Sequence, residues 1–298
     1  MTDRLPWPRE AATDGDPGRP SLAQPDSNIC LDFHGDPARA GLVVYSDGNH
    51  HMALEACAAR FLADNPDAVD VFYATTPPGP LLRALDAGGL DIGNLTLSRA
   101  PHVFVGPPEI LDKAVAAGRM ETHAAFAESR GNALLVRTGN PENIAGAADL
   151  MRDDIVVAIS NPVSEAASFQ VYADTLMAQA GADGAALRAR LETAGPNVVH
   201  SRTIHHREVP QLIAAGRADV AMVYYHLALR YTRIFPDAFE IVDADAFEGA
   251  PAPGQQITAY HLGLIDGGGD WGGRFQAFMH ADVAASLYEE HGLRSRSA

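Results

Sequence analysis

Short polar residues gather where apolar runs give way to helical spacing, and those junctions are where this sequence can do chemistry. The first is Ser46-Asp47-Gly48-Asn49-His50-His51, between the run LVVYS and the helical string MALEACAARFLADN. A helix starting there presents unpaired N–H groups and the positive end of its dipole, which suits an oxyanion or a carboxylate. Asn49 is placed either to cap that helix or to donate to a ligand. His50, and less directly His51, can donate from the ring, as imidazolium if protonated, or ligate a metal if neutral. The plainer reading of both histidines is a solvated surface pair.

The string SNPVSEAASF (160–169) repeats the arrangement, with Ser160, Asn161, Ser164 and Ser168 as short donors. Glu165 would repel an anion. It fits the first turn of a helix, where the dipole favours a carboxylate, or it joins His50 and His226 around a metal or a cationic group. In TIHHRE (203–208), His205 can donate, and Arg202 or Arg207 can pair with a carboxylate or form a solvated basic turn. Thr75 and Thr76 precede the turn PPGP. Tyr224, Tyr225 and His226 end the run VAMVYY. Side chains alternate along a strand, so Tyr224 and Tyr225 face opposite ways, with Tyr224 assigned to a ligand and Tyr225 to packing.

No nucleophile elbow, Walker loop, dinucleotide fingerprint or zinc-protease motif occurs. The two His-His pairs stand apart from any Cys or Asp at zinc spacing, so no cofactor is expected and metal binding through histidine is a secondary alternative. Cys30 and Cys57 are the only cysteines. Cys57 falls on an apolar helical face and reads as a buried small hydrophobe.

The elements that must position these residues follow from the pattern of the whole chain. Its 298 residues are 47% hydrophobic and 20% charged, enough for two compact lobes. A formal charge of −16 argues against nucleic acid and anionic membrane as partners. It leaves room for a small anion held by N–H groups. Residues 1–40 read as a leader, mobile or wrapped on the surface. Strands are expected at 42–46, 69–76, 90–95, 132–139, 154–160, 197–203 and 218–225, alternating with helices, one of them ENIAGAADLM (142–151). That rhythm predicts parallel sheets flanked by helices. AFEIVDAD and ITAYHLGLID are further strands, and the string from Trp271 to Leu293 reads as one closing helix. The expected lobes are 41–127 plus 228–298, and 128–227, joined by two crossings. The N-terminus has no apolar run of signal-peptide length, and no segment approaches the ~18 apolar residues of a membrane span. As written, the chain is expected neither to insert in a membrane nor to be exported.

Four strings, LVVYSDGNHHMALEACAARF, LLRALDAGGLDIGN, AISNPVSEAASFQVYA and TIHHREVPQLIAAGRADVAMVYY, together resemble the substrate-binding proteins of molybdate-type ABC transporters. The resemblance covers about residues 41–245. It implies an α/β, two-lobed, periplasmic-binding-protein-like fold of type II, with a ligand cleft between mainly parallel lobes. It implies binding of a small anion, a molybdate-like oxyanion or a small carboxylate, and delivery to an ABC permease in the periplasm. The candidate ligand set is Ser46, Asn49, His50, Thr75, Thr76, Ser160, Ser164, Glu165, His205, Tyr224 and His226. Tyr224 falls where the family's ligand-contacting tyrosine stands, whereas Asn49 occupies a slot that usually holds a hydroxyl residue. The alternative is a cytosolic accessory sensor, or an enzyme on the same fold with His50, Glu165 and His226 as its acid and base groups.

Overall fold

The computed structural model describes residues 32–76, 78–92, 95–202 and 204–296. Cys30 and residues 1–31 of the leader lie outside this range. Residues 32–40, assigned to the leader from sequence, begin with β1 (Asp32–His34), which pairs antiparallel with β3 (Val71–Thr75) at the edge of a sheet.

Between and beyond them the chain runs through β2 (Leu42–Ser46), α1 (His51–Asp64), α2 (Pro78–Ala87), β4 (Leu90–Ile92), β5 (Leu95–Leu97), β6 (Val103–Gly106), α3 (Pro108–Ala116) and β7 (Met120–Glu128). β2 runs parallel to both β3 and β6. All five of its residues are buried, because helices cover both faces of the sheet. Leu42 and Val44 pack towards Leu54, Cys57 and Phe61 of α1. Val43 and Tyr45 point the other way, onto Leu81 and Leu85 of α2 and Leu111 of α3. Two-residue alternation thus divides one apolar run between two cores. Cys57 is fully buried, and burial pushes its thiol up to about 12. The third parallel strand is β6. The segment expected in that role instead folds as the separate hairpin β4–β5.

The second sheet holds β8 (Asn132–Arg137), β9 (Val157–Ile159), β10 (Val198–His200), β11 (Val220–Tyr224) and β12 (Phe239–Ile241) in the order β10-β9-β11-β8-β12. Its helices are α4 (Ala166–Ala180) and α5 (Gly184–Leu191) on one face and α6 (His205–Ala214) and α7 (Tyr225–Ile234) on the other. The expected helix at 142–151 is reduced to a short 3-10 turn, Ala147–Met151. There the Asn140 side chain accepts from the Ile144 N–H and donates to its carbonyl, closing a loop where the helix would start. β12 hydrogen-bonds to β8, so residues 239–241 belong to this sheet and not to the first, where the sequence reading put everything from 228 onward.

The chain returns as β13 (Ala259–Ile265), α8 (Gly269–Met279), α9 (Asp282–Glu290) and β14 (Arg294–Ser295). The single closing helix is two, broken at His280 and Ala281. The first sheet is then ordered β1-β3-β2-β6-β13-β7-β14. Two crossings therefore join the sheets, β7 to β8 and β12 to β13, and they are tied to each other. Ser129 N–H donates to the Thr258 carbonyl at 2.8 Å, and Thr258 N–H donates to Ser129 Oγ at 2.9 Å. Asn132 N–H donates to Gln255 Oε1 at 2.7 Å, and Gln255 Nε2 donates to the Asn132 carbonyl at 2.9 Å. Gly131, at φ +104°, permits this; a Cβ there would lie 2.4 Å from Gln255 Oε1.

Candidate functional site

The carboxyl ends of parallel strands from both sheets face one another, which is where open α/β sheets bind ligands. In the first sheet, Ser46 at the end of β2 is the ladder partner of Thr75, and Thr76 N–H donates to the Ser46 carbonyl. In the second, Ser160 and Ser201 follow β9 and β10, and Tyr224 ends β11. The two sides touch. His226 Nε2–H donates to the Asn49 carbonyl at 3.0 Å, and Arg230 Nη1 donates to His51 Nε2 at 2.5 Å.

The turn after β2 is internally wired. His50 occupies the N-cap position of α1 without a side-chain cap bond, so Asn49 does not cap that helix as expected. Asn49 instead donates its N–H to Asp47 Oδ1 at 2.9 Å and its amide to Asp47 Oδ2 at 3.4 Å. His50 is 1% exposed, with Nδ1 2.8 Å from Tyr288 Oη and Nε2 3.3 Å from Ser46 Oγ. The Ser46 hydroxyl donates onward to the Asp47 carbonyl. In the neutral ring, Tyr288 donates to Nδ1 and Nε2–H donates to Ser46, so the polar atoms of both residues are engaged. Burial, then the neighbouring His226 and His51, pushes His50 down to about 3, so of the two forms open to it in the sequence the ring takes the neutral one. His226 is likewise pushed down to about 3 by burial.

The second sheet's turns form a different chain. Glu165, the N-cap residue of α4, sends its carboxylate across to the start of α6. There it accepts from the Ser201 hydroxyl, from His205 N–H at 2.9 Å and from His205 Nδ1–H at 2.7 Å. Burial raises the Glu165 carboxyl, but the His205 charge and these donors outweigh it and hold it below its ordinary range. His205 Nε2 meets Tyr172 Oη at 2.8 Å, and the Tyr172 and Tyr224 rings meet edge to face at 5.4 Å. Glu165 therefore does not join His50 and His226. Ser164 is exposed, with its N–H on Asn161 Oδ1, and exposed Arg202 pairs with Glu208. Tyr225 stacks on Phe247 at 4.3 Å in the core under α6 and α7, opposite Tyr224.

Between these two chains lie residues the sequence reading passed over. Asp47 is 5% exposed; burial, against the Asn49 N–H and the His205 charge, raises its carboxyl to about 6. Fully buried Tyr260, on β13, packs its ring 4.5 Å from that of His50 and 6.3 Å from that of His226. Burial, then Tyr224, Asp47 and Tyr172, drives its hydroxyl well above the usual tyrosine range. Thr258 Oγ1 donates to Tyr224 Oη at 3.3 Å, so that oxygen is taken as an acceptor while its own proton stays available. Asp47 had a signal in sequence, a carboxylate directly after a buried strand. Tyr172 and Tyr260 sit inside elements and had none.

Several buried polar atoms here have no partner among the described residues: Thr76 Oγ1, Ser160 Oγ, Asn132 Oδ1, His226 Nδ1 and Tyr260 Oη. An unmet buried group costs about 1–3 kcal/mol, so their gathering at the strand ends marks a place built to be completed. Among the described residues, no three His, Cys, Asp or Glu side chains group to hold a metal, and no helix is long and apolar enough to cross a membrane.

Solved structures share this architecture. The sulfate-binding protein SubI of Mycobacterium tuberculosis superposes with TM-score 0.61 at 17% identity, over 85% of this chain and 86% of that one. PEB3 of Campylobacter jejuni, in its L-phospholactate-bound form, gives 0.60 at 14% identity, over 86% and 100%. The periplasmic molybdate-binding protein of Azotobacter vinelandii gives 0.56 at 15%, over 85% and 98%. These likenesses speak for the fold, a two-lobed α/β periplasmic-binding-protein architecture with two sheets flanked by helices. Among proteins of curated function, none matches the chain in sequence. The family model for bacterial extracellular solute-binding proteins runs from β2 to β14, residues 42–294, across both sides of the cleft, and the chain belongs to that family.

Proposed function

We propose that the chain binds a small anion, an oxyanion or a small carboxylate, between its two lobes and delivers it to an ABC permease outside the cytoplasmic membrane. One observation carries the reading. Helices α1, α4 and α7 begin at the cleft without a side-chain cap bond, as do α3, α5, α6, α8 and α9 elsewhere, and at the strand ends of this cleft the buried Thr76, Ser160 and Tyr260 hydroxyls have no partner among the described residues. Uncapped helix starts supply N–H groups and positive dipole ends, which hold an anion without a cationic side chain. Membership of the solute-binding family supports transport as the purpose. Sulfate, molybdate and phospholactate, named for three of the similar structures, are small anions, while a fourth is named for bound iron.

The Tyr224 proton, left over by Thr258, becomes a further donor to the ligand, and Thr75 and Thr76 supply the first lobe's hydroxyls. His50, Ser46, Glu165 and His205 then act by holding the turns in place. A thermal-shift panel of sulfate, molybdate, hydrogen phosphate, small carboxylates and divalent metals tests the reading. An anion at 100 times its dissociation constant adds about 2.7 kcal/mol to the unfolding free energy. A panel in which only metals raise the melting point would refute it.

A further inference from the structure

The same cleft that offers donors also buries acceptors, and an anion that lacks a proton cannot satisfy both. His226 spends Nε2–H on the Asn49 carbonyl, so in the neutral ring Nδ1 carries a lone pair, and that atom is buried with no partner among the described residues. Asn49 links it to Asp47, because the same residue donates its N–H to Asp47 Oδ1. The Asp47 carboxyl is buried and makes no salt bridge among the described residues. The Asp47 N–H is held by the Val105 carbonyl of β6 and its carboxylate by Asn49, whose carbonyl accepts from the His226 ring, so Asp47 stands in the turn where the two lobes touch. Asn132 Oδ1, the third acceptor, is unpaired on the strand next to Tyr224.

We infer that the ligand is an anion carrying a hydrogen-bond donor of its own, an O–H, which it gives to Asp47 or to His226 Nδ1 while its charged oxygens take the hydroxyls and helix N–H groups. The inference rests on the anion reading above and narrows it. A carboxylate facing an unprotonated dianion is a like-charge clash with no hydrogen bond to offset it. The same carboxylate facing an O–H makes a charge-assisted bond. Hydrogen phosphate is thereby selected over sulfate and molybdate, and a 2-hydroxy acid over the corresponding simple acid.

The test uses tetrahedral dianions that differ by a proton and monocarboxylates that differ by a hydroxyl. At pH 8, calorimetric titrations of the full chain compare hydrogen phosphate with sulfate and molybdate, and lactate with propionate. At least one protonated member binds about 100-fold or more tightly than its counterpart, since a buried acceptor rejects a ligand that leaves it unpaired. In Asp47→Asn the side-chain carbonyl still accepts from Asn49, and the new amide supplies a donor. That variant brings sulfate or propionate to within about threefold of its protonated counterpart, with thermal unfolding confirming that it folds. Sulfate, molybdate or propionate bound by the native chain, with no O–H-bearing member bound more tightly than its counterpart, would overturn this inference and leave the anion reading standing. Binding of none of these anions would overturn both.

Discussion

The two sheets each bury a histidine at the start of a helix that follows a parallel strand, and each histidine touches a tyrosine hydroxyl. His50 has Tyr288 on one nitrogen and Ser46 on the other. His205 has Tyr172 on one and the Glu165 carboxylate on the other. The position in the fold is the same, but the second partner decides the electrostatics. A hydroxyl leaves His50 to the full effect of burial, which holds it neutral. Beside His205 stands a carboxylate, which also collects the α6 backbone N–H and a serine hydroxyl. One lobe holds its turn with a neutral relay; the other holds it with a charged clasp.

The contrast predicts where damage is greatest. Glu165→Ala strips three buried donors of their acceptor at once and should cost about 3–5 kcal/mol in denaturant unfolding, the scale of breaking a buried pair. Glu165→Gln, which keeps an acceptor oxygen, should cost less. Equal losses in the two variants would mean that the carboxylate's charge, not its geometry, holds the clasp.

A change of similar size should appear in the pH dependence of Asp47→Asn. The native carboxyl titrates at about 6, above its ordinary value of 3.8, so the folded state holds the extra proton between those values. That contribution is fully present below about pH 4 and is lost as pH rises through 6. His50 and His226 run the other way: with folded values of about 3, their contribution is lost as pH falls below the ordinary 6.5. Asp47 therefore offsets part of the acid loss from the histidines. Between pH 7.5 and 4, Asp47→Asn should lose about 3 kcal/mol more stability than the native chain, at 1.36 kcal/mol per unit. Parallel stability curves would show that Asp47 is solvated.

Binding should respond on a smaller scale. Tyr224→Phe keeps the ring's packing and removes the free proton, so affinity for the anion found in the panel should fall by about 10–150-fold, or 1.5–3 kcal/mol. The smallest effect should come from Asn49→Ala. Its side chain makes only a 3.4 Å contact to Asp47 and caps nothing, so unfolding should shift by no more than about 0.5 kcal/mol. A loss near 1 kcal/mol would restore the capping role that its place in the sequence suggested.

The difference between Asn49 and Asp47 shows how far the sequence could be read. LVVYS, bounded by Gly41 and Asp47, announces a strand, and the polar string after it announces a helix start; both elements form. Which of those polar side chains turns inward depends on Tyr288, His226 and Tyr260, brought from more than 170 positions away, and no local pattern records that. VFVG, four residues between prolines, is too short to announce a strand, whereas LDIGNL reads as one strand of the sheet. Gly93-Asn94 between LDI and LTL is a two-residue hairpin signal, and weighing it would have separated the pair. The second crossing was set too early because AFEIVDAD reads as a strand of either sheet. Only its pairing with β8 decides.

The stitching of the crossings has a mechanical consequence. Two bodies joined by one loose thread explore a volume; joined by two threads knotted together, they swing along an arc. The four bonds between Ser129 and Thr258 and between Asn132 and Gln255 make such a knot, and Thr258 extends it to the Tyr224 hydroxyl inside the cleft. Such a knot limits the relative motions open to the lobes, and a guest would then spend less of its binding energy on ordering them. In the function proposed above, a guest seated on Tyr224 would press on the axle itself, and the angle of the hinge would report occupancy to whatever reads the protein's outer face.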